Sequence, residues 1–298
     1  MRRVRKRARP AQACHLGARS LNLNTITEVR RASEAAAEGR DWREGDSWLA
    51  GGTWLFSEPQ SHLRRLIDIE GFCGRSLTVS DQGLGISSTC TIAELDALRA
   101  PAEWIAAPLI EQCSQSFLAS FKVKSAATVG GNICMSLPAG PMISLTVALE
   151  GVYTLRPRDG GERRVAAEDF VTGDHQNVLG PGDLLRTIAL PATALEKRTA
   201  FRRMSLTHRG RSTALLVGTR SPHDGSFSLT VSASTKRPLR MSFDDVSDSR
   251  GLRERLRQTI PDSLYHDDVH GEPDYRRHLT FHFAEEIRRE LAGEAPRP

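Results

Sequence analysis

Two glycine pairs offer chemistry in this chain. Residues 48–55 read WLAGGTWL, and residues 127–133 read ATVGGNI. A tight turn needs one glycine for a positive φ. A loop that brings backbone N–H groups onto an anion can use a pair, because a β-carbon would hold the anion away. Either pair alone fits both readings. Together, about eighty residues apart, they suit one ligand: a dinucleotide, whose diphosphate could lie between two such loops. The Thr53 hydroxyl and the Asn132 amide would add hydrogen bonds worth roughly 1.5–3 kcal/mol each to a charged group.

Other phosphate motifs are missing. No G-x-x-x-x-G-K-[ST] occurs, and Gly83-Leu84-Gly85 lacks the third small residue and helix start of a Rossmann fingerprint. His278 and His282 have metal-ligand spacing, but no glutamate follows His278, so a solvated helix face is the reading preferred. His266 to His270 reads as the approach to a helix, Trp48 and Trp54 as packing residues, and Cys134 as a small buried filler. The five cysteines are scattered and never form C-x-x-C, which fits reduced thiols in a cytoplasmic protein rather than a zinc or iron–sulfur site.

The elements that must position these loops follow from periodicity. Thr25 to Glu28 has the pattern of a capping box and predicts a helix running to Gly39. A strand over 48–50, the first glycine turn, a helical turn and a strand over 66–69 complete a small β-turn-α-β unit. Ligands of open α/β layouts gather at such strand ends. A strand pair over 77–88, a second capping box at Thr91 to Glu94 and a helix over 108–121 precede the second glycine turn. A buried helix over 141–149 and strands over 152–155 and 183–191 follow. Beyond a boundary near 191–198, strands over 201–204, 214–219, 227–234 and 239–243 predict an antiparallel meander, then helices over 252–258 and 274–291.

The chain has 298 residues, 39% of them apolar, with no run long enough to span a membrane. Its net charge of +5 belongs to one segment: residues 1–19 hold seven basic side chains and no acid, leaving the remainder mildly acidic. That segment has no apolar stretch of a signal peptide. It reads as a disordered extension, or an upstream start, rather than a nucleic-acid arm.

These residues resemble a known family. AGGT at 50–53 and TVGGNI at 128–133 are similar to the two FAD signatures of molybdenum-hydroxylase flavoproteins, the medium subunits of carbon monoxide dehydrogenase-like and xanthine dehydrogenase-like enzymes. LIDI at 66–69, LGISSTCTIAEL at 84–95, DF at 169–170, PGDLL at 181–185 and HGEPDYRRHL at 270–279 extend the resemblance to nearly everything from residue 21 onward. It implies an α+β protein. A PCMH-type FAD-binding domain over 21–195, made of α/β subdomains at about 21–75 and 76–195, would precede a C-terminal α+β domain over 196–292. An extension over 1–20 and a tail over 293–298 would flank them.

The resemblance also implies noncovalent FAD, bound by Ala50, Gly51, Gly52, Thr53, Trp54, Leu55, Thr128, Gly130, Gly131, Asn132 and Ser136. Leu185 would pack on the adenine, and Arg202 would stand where the family often has a lysine near the flavin. The implied role is electron relay from a 2Fe-2S small subunit, paired with a molybdopterin large subunit, to NAD+, a quinone or oxygen. No catalytic side chain, iron–sulfur cluster or molybdenum is expected in this chain. Two departures stand out: Pro141 replaces an aspartate, and Val123-Lys124-Ser125 replaces Ile-Arg-Asn. A stand-alone flavin reductase of the same fold, or a non-redox protein binding nucleotides or nucleic acid, are the competing readings.

Overall fold

The structure is a computed structural model, and it describes residues 24–32, 41–208, 210–246 and 248–294. The basic extension and the last four residues of the expected tail lie outside these ranges.

Glu28–Arg31 (β1), Asp46–Leu49 (β2) and Arg65–Asp68 (β3) form a parallel sheet in the order β1-β3-β2. Residues 25–31 therefore correct the expected helix. Val29 pairs with Leu66 and Arg31 with Asp68, and Thr25 Oγ1 donates to the Gln60 carbonyl instead of capping a helix. Sheet pairing supplies the backbone partners that a local cap would have offered. The rest of the expected helix, residues 33–39, lies outside the described residues.

Leu77–Ser80 (β4) and Gly83–Ser87 (β5) form a hairpin. The helices Ile92–Asp96 (α1), Ala107–Ser116 (α2), Phe121–Lys124 (α3), Val129–Met135 (α4) and Pro141–Ala148 (α5) follow. The Thr91–Glu94 capping box of α1 forms with both reciprocal hydrogen bonds. Every residue of α5 is buried. A helix apolar on all sides must be covered on all sides, and α5 lies between α2 and α4 on one flank and the C-terminal sheet on the other.

Val152–Arg156 (β6) and Arg163–Ala166 (β7) precede a helical turn, Ala167–Phe170 (α6), and a small hairpin of Val171–Gly173 (β8) and Gln176–Asn177 (β9). With Leu184–Pro191 (β10) they complete a five-stranded antiparallel sheet, β4-β5-β10-β6-β7. Its inner face (Leu84, Ile86, Tyr153, Leu155, Ile188) and helices α1, α2, α4 and α5 share one core.

After the turn Ala192–Leu195 (α7), the strands Arg198–Met204 (β11), Ala214–Arg220 (β12), Phe227–Ser232 (β13) and Leu239–Phe243 (β14) form the expected meander in chain order. Ser249–Thr259 (α8) and Pro273–Ala292 (α9) cover one face and build a second core. The other face adds Leu215 and Val217 to the first core. Hydrogen bonds cross this seam, among them Ser144 Oγ to Ser232 Oγ at 2.6 Å and Ala233 N–H to the Pro138 carbonyl at 2.8 Å. No described helix is long and apolar enough to cross a membrane.

Candidate functional site

The first glycine loop begins where β2 ends. Gly52 has φ of +66°, and a β-carbon there would run into the Phe56 ring. The loop closes with Phe56 N–H on the Gly52 carbonyl and Ser57 N–H on the Trp54 carbonyl, both 2.9 Å. Ala50 and Leu55 are anchors. Ala50 packs beside Ile69, Cys73 and Leu184, and Leu55 is buried against Leu63 and Leu66. Trp48 is fastened by its indole N–H to the Asp183 carbonyl at 3.0 Å. Trp54 is 47% exposed, so it projects rather than packs. No described residue accepts from the N–H groups of Gly51, Gly52, Thr53 or Trp54, or hydrogen-bonds the Thr53 hydroxyl.

The second glycine pair is not a turn but the first turn of α4. Thr128 is its N-cap, with Oγ1 accepting from Gly131 N–H at 3.0 Å. Gly130 N–H donates to the Ser88 carbonyl and Val129 N–H to the Cys90 carbonyl. The expectation that Gly130 and Gly131 offer free donors is thereby corrected. Gly130 is bare because a β-carbon would lie 2.5 Å from that of Ser88. At Gly131 a β-carbon would meet only Thr128 Oγ1, at 2.9 Å, so this face opens outward. Asn132 Oδ1 accepts the Met142 N–H at 3.1 Å, leaving its NH₂ group without a described partner.

The two loops meet. A β-carbon on Gly51 would overlap the Ala126 carbonyl oxygen and lie 2.7 Å from its carbon. Gly51 therefore sits on the backbone that leads into Thr128. Donors without partners come from the first loop, and a bare helix turn with one amide comes from the second. Such an arrangement can hold a polyanion through the first loop's N–H groups and the Asn132 amide, against the bare turn of α4.

Three expected contacts lie elsewhere. Ser136 is fully buried and caps the end of α4 at φ +52°, its hydroxyl contacting the Ile133 and Cys134 carbonyls and the Asn177 amide. Leu185 is 1% exposed in the main core, with no surface for a nucleobase. Its neighbour Leu184 faces the Ala50 cluster instead, because β10 carries a bulge after Leu185. Arg202 points at α9, where it donates to Glu286 and Glu290 at 2.7 Å each.

The sequence reading overlooked Arg203. Alternation along β11 puts Phe201 and Arg203 on the face toward the first core, opposite Arg202. Their partners Val217 and Leu215 belong to that core, whereas Leu216, opposite Arg202, belongs to the second. Phe201 could have signalled this, since the residue two along from an inward aromatic shares its face. Ser212, which accepts from Arg203 Nε, lines a cleft of about 230 Å³ whose other walls include Pro138, Asp174, His175, His266, Asp267 and Asp268.

Several secondary features are structural. His278 and His282 stack with centroids 6.2 Å apart, and His282 pairs with Glu286. Asp268 holds the buried Arg276 and accepts from His270 N–H. Burial pushes the Cys134 thiol up to about 12, away from thiolate chemistry.

Comparison with known proteins gives concordant results. A family described as the FAD binding domain in molybdopterin dehydrogenase matches residues 22–193. Caffeine dehydrogenase subunit beta from Pseudomonas sp. (strain CBB1) is 31% identical over 101 residues, 34% of this chain and 34% of that one. Xanthine dehydrogenase 1 from Arabidopsis thaliana is 28% identical over 126 residues, 40% of this chain and 9% of that protein. The chain thus matches about a third or less of the length of these curated relatives. Two solved structures are similar in fold. CO dehydrogenase from Oligotropha carboxidovorans has a TM-score of 0.73 at 20% identity, covering 91% of this chain and 98% of that one. Quinoline 2-oxidoreductase from Pseudomonas putida 86 has 0.73 at 18%, covering 90% and 97%.

Proposed function

The chain belongs to the family of FAD-binding domains of molybdopterin dehydrogenases, and from that premise we propose that it is the flavin-carrying subunit of a multi-subunit molybdenum hydroxylase. Its partners in this reading are a 2Fe-2S small subunit and a molybdopterin large subunit. Bound FAD supplies the exchange of one or two electrons between the small subunit's centres and an acceptor such as NAD+, a quinone or oxygen.

The protein's part is binding and orientation. The diphosphate is assigned to the N–H groups of Gly51, Gly52, Thr53 and Trp54, the Thr53 hydroxyl and the Asn132 NH₂. Gly131 provides the bare wall. Thr128 and Gly130 shape that wall through the Gly131 N–H and the Ser88 backbone, while Ala50 and Leu55 anchor the first loop. None of these side chains has to move a proton.

One observation carries the reading: Gly51 lies directly on Ala126, so both signatures border a single surface. Titration of the purified apo-protein with FAD tests it. The expected outcome is a stoichiometric yellow complex that releases intact FAD on denaturation and co-purifies with iron–sulfur and molybdopterin subunits when these are co-expressed. Failure to take up FAD would count decisively against it.

A further inference from the structure

Helix α8 segregates its charges. Its eleven residues include four arginines and one glutamate, with Leu252 and Leu256 buried. Helical spacing sets Arg253 and Arg257 on one flank and Glu254 and Arg255 on the other. The two flanks face different surroundings. Arg255 lines a groove that also holds Asp244, Asp245 and Glu254. Arg253 and Arg257 line a separate cleft of about 390 Å³, whose walls from α9 are Asp274, Arg277, His278 and Phe281. That cleft sets three guanidiniums against one carboxylate, on a protein that is mildly acidic beyond its first nineteen residues.

The fold itself does not use these charges. Other arginines on the two helices are matched to acids. Arg250 donates to Glu254 at 3.0 Å, Arg276 pairs with Asp268, and Arg288 donates to both oxygens of Glu285 at 3.0 Å. Arg277 reaches Asp262 at 3.3 Å, but that carboxylate is 82% exposed. Arg253 and Arg257 have no ion-pair partner among the described residues. Glu285, whose carboxylate Arg253 helps to keep ionised, is already held by Arg288. Arg257 lies over the Phe281 ring instead, 5.7 Å from its centroid. Like charges four residues apart work against a helix, so the pair is a cost with no internal return. Stacking on Phe281 fixes the plane of the Arg257 guanidinium while its N–H edge stays available.

We propose that this cleft binds a polyphosphate group, on the side of the C-terminal sheet opposite the first core. Guanidinium forks match phosphate oxygens with paired N–H donors and keep their charge at any working pH. Arg253 and Arg257 stand one helical turn apart, about 5–6 Å between β-carbons, and Arg277 faces the same space from α9. Such a spread suits linked phosphates better than a single one. The volume falls within the range of small-molecule sites, about 300–1,000 Å³, and the charged walls select an anion. The site binds and makes no bond.

The test titrates inorganic tripolyphosphate into the full-length protein loaded with FAD, so that the diphosphate loops are already filled. Calorimetry is expected to show saturable binding that weakens as salt is raised. Arg257→Gln and Arg277→Gln should each weaken it about tenfold, and the double variant Arg253→Gln/Arg257→Gln should abolish it. Arg255→Gln, on the other flank of α8, should leave it unchanged. These four side chains are exposed, so the variants should keep the wild-type thermal midpoint. ATP in place of tripolyphosphate separates the sources of the group: tighter binding of ATP assigns a nucleotide, and tighter binding of tripolyphosphate a free polyphosphate. No saturable binding of either overturns the assignment, as does an equal loss in Arg255→Gln and Arg257→Gln. A protein that takes up no FAD is titrated bare and judged by the same variants, so the cleft stands or falls apart from the flavoprotein reading.

Discussion

Asn132 and Met142 are joined by a 3.1 Å hydrogen bond from the Met142 backbone N–H to Asn132 Oδ1. The bond caps α5 at its second residue, where Pro141 has already removed one donor from the helix start. It also orients the amide so that its NH₂ points away from α5. Asn132→Asp keeps an acceptor for Met142 but sets a negative charge beside the assigned diphosphate. We expect the thermal midpoint to be retained and FAD affinity to fall more than ~tenfold. Asn132→Ala loses the cap as well, and should cost about 1 kcal/mol in urea unfolding.

The glycines separate into two classes. Gly51→Ala forces a methyl onto the Ala126 carbonyl, so it should destabilise the apo-protein by about 1–3 kcal/mol or more and lose FAD with it. Gly131→Ala meets only the Thr128 hydroxyl, and alanine favours a helix by up to about 1 kcal/mol over glycine. Its apo thermal midpoint should hold or rise while FAD affinity drops. Equal loss of stability in both variants would contradict this division.

A buried ion pair under the first sheet controls acid stability. Arg65 donates through Nε to Asp46 Oδ1 at 2.9 Å, and both side chains are almost fully buried. Burial opposes the Asp46 carboxylate, but hydrogen bonds from the Arg65 side chain and the Arg43 N–H outweigh it and hold its pKa below the ordinary value. The associated stability is therefore complete above the unfolded-state pKa near ~3.9 and disappears as pH falls through the lower folded value. Thermal midpoints measured from neutral pH down to about pH 3 should fall less steeply for Asp46→Asn than for wild type. Arg65→Ala, which strands the carboxylate, should cost about 3–5 kcal/mol at neutral pH.

Arg202→Ala removes two ion pairs to partly exposed glutamates on α9. Stability should change by no more than about 1 kcal/mol, and the FAD dissociation constant should be unaltered. A large loss of flavin would return Arg202 to the site.

Local pattern determined much of the architecture. The Thr91–Glu94 cap closes within four residues, each meander strand pairs with the next in the chain, and α5 and the C-terminal helices make their backbone hydrogen bonds within their own span, so period and cap chemistry suffice to read them. The failure at Thr25–Glu28 has the opposite cause. The same residues can open a helix or lead into a strand in which Glu28 pairs with Arg65 and Val29 with Leu66, and only the presence of β3 selects the strand.

The residue pattern also singled out two glycine pairs, each set between apolar residues and a polar side chain, unlike Gly160-Gly161 among charged residues. What each glycine does was decided by the tertiary structure. Gly51 and Gly130 are bare because other backbone occupies the space, Gly52 because of its positive φ, and Gly131 because its face opens outward. The fates of Ser136, Leu185, Arg202 and Arg203 were settled in the same way. A bulge in β10, a left-handed cap on α4 and the alternation of β11 direct each side chain toward a core, a neighbouring helix or the seam. Those directions depend on pairings with residues far along the chain, which no local pattern encodes.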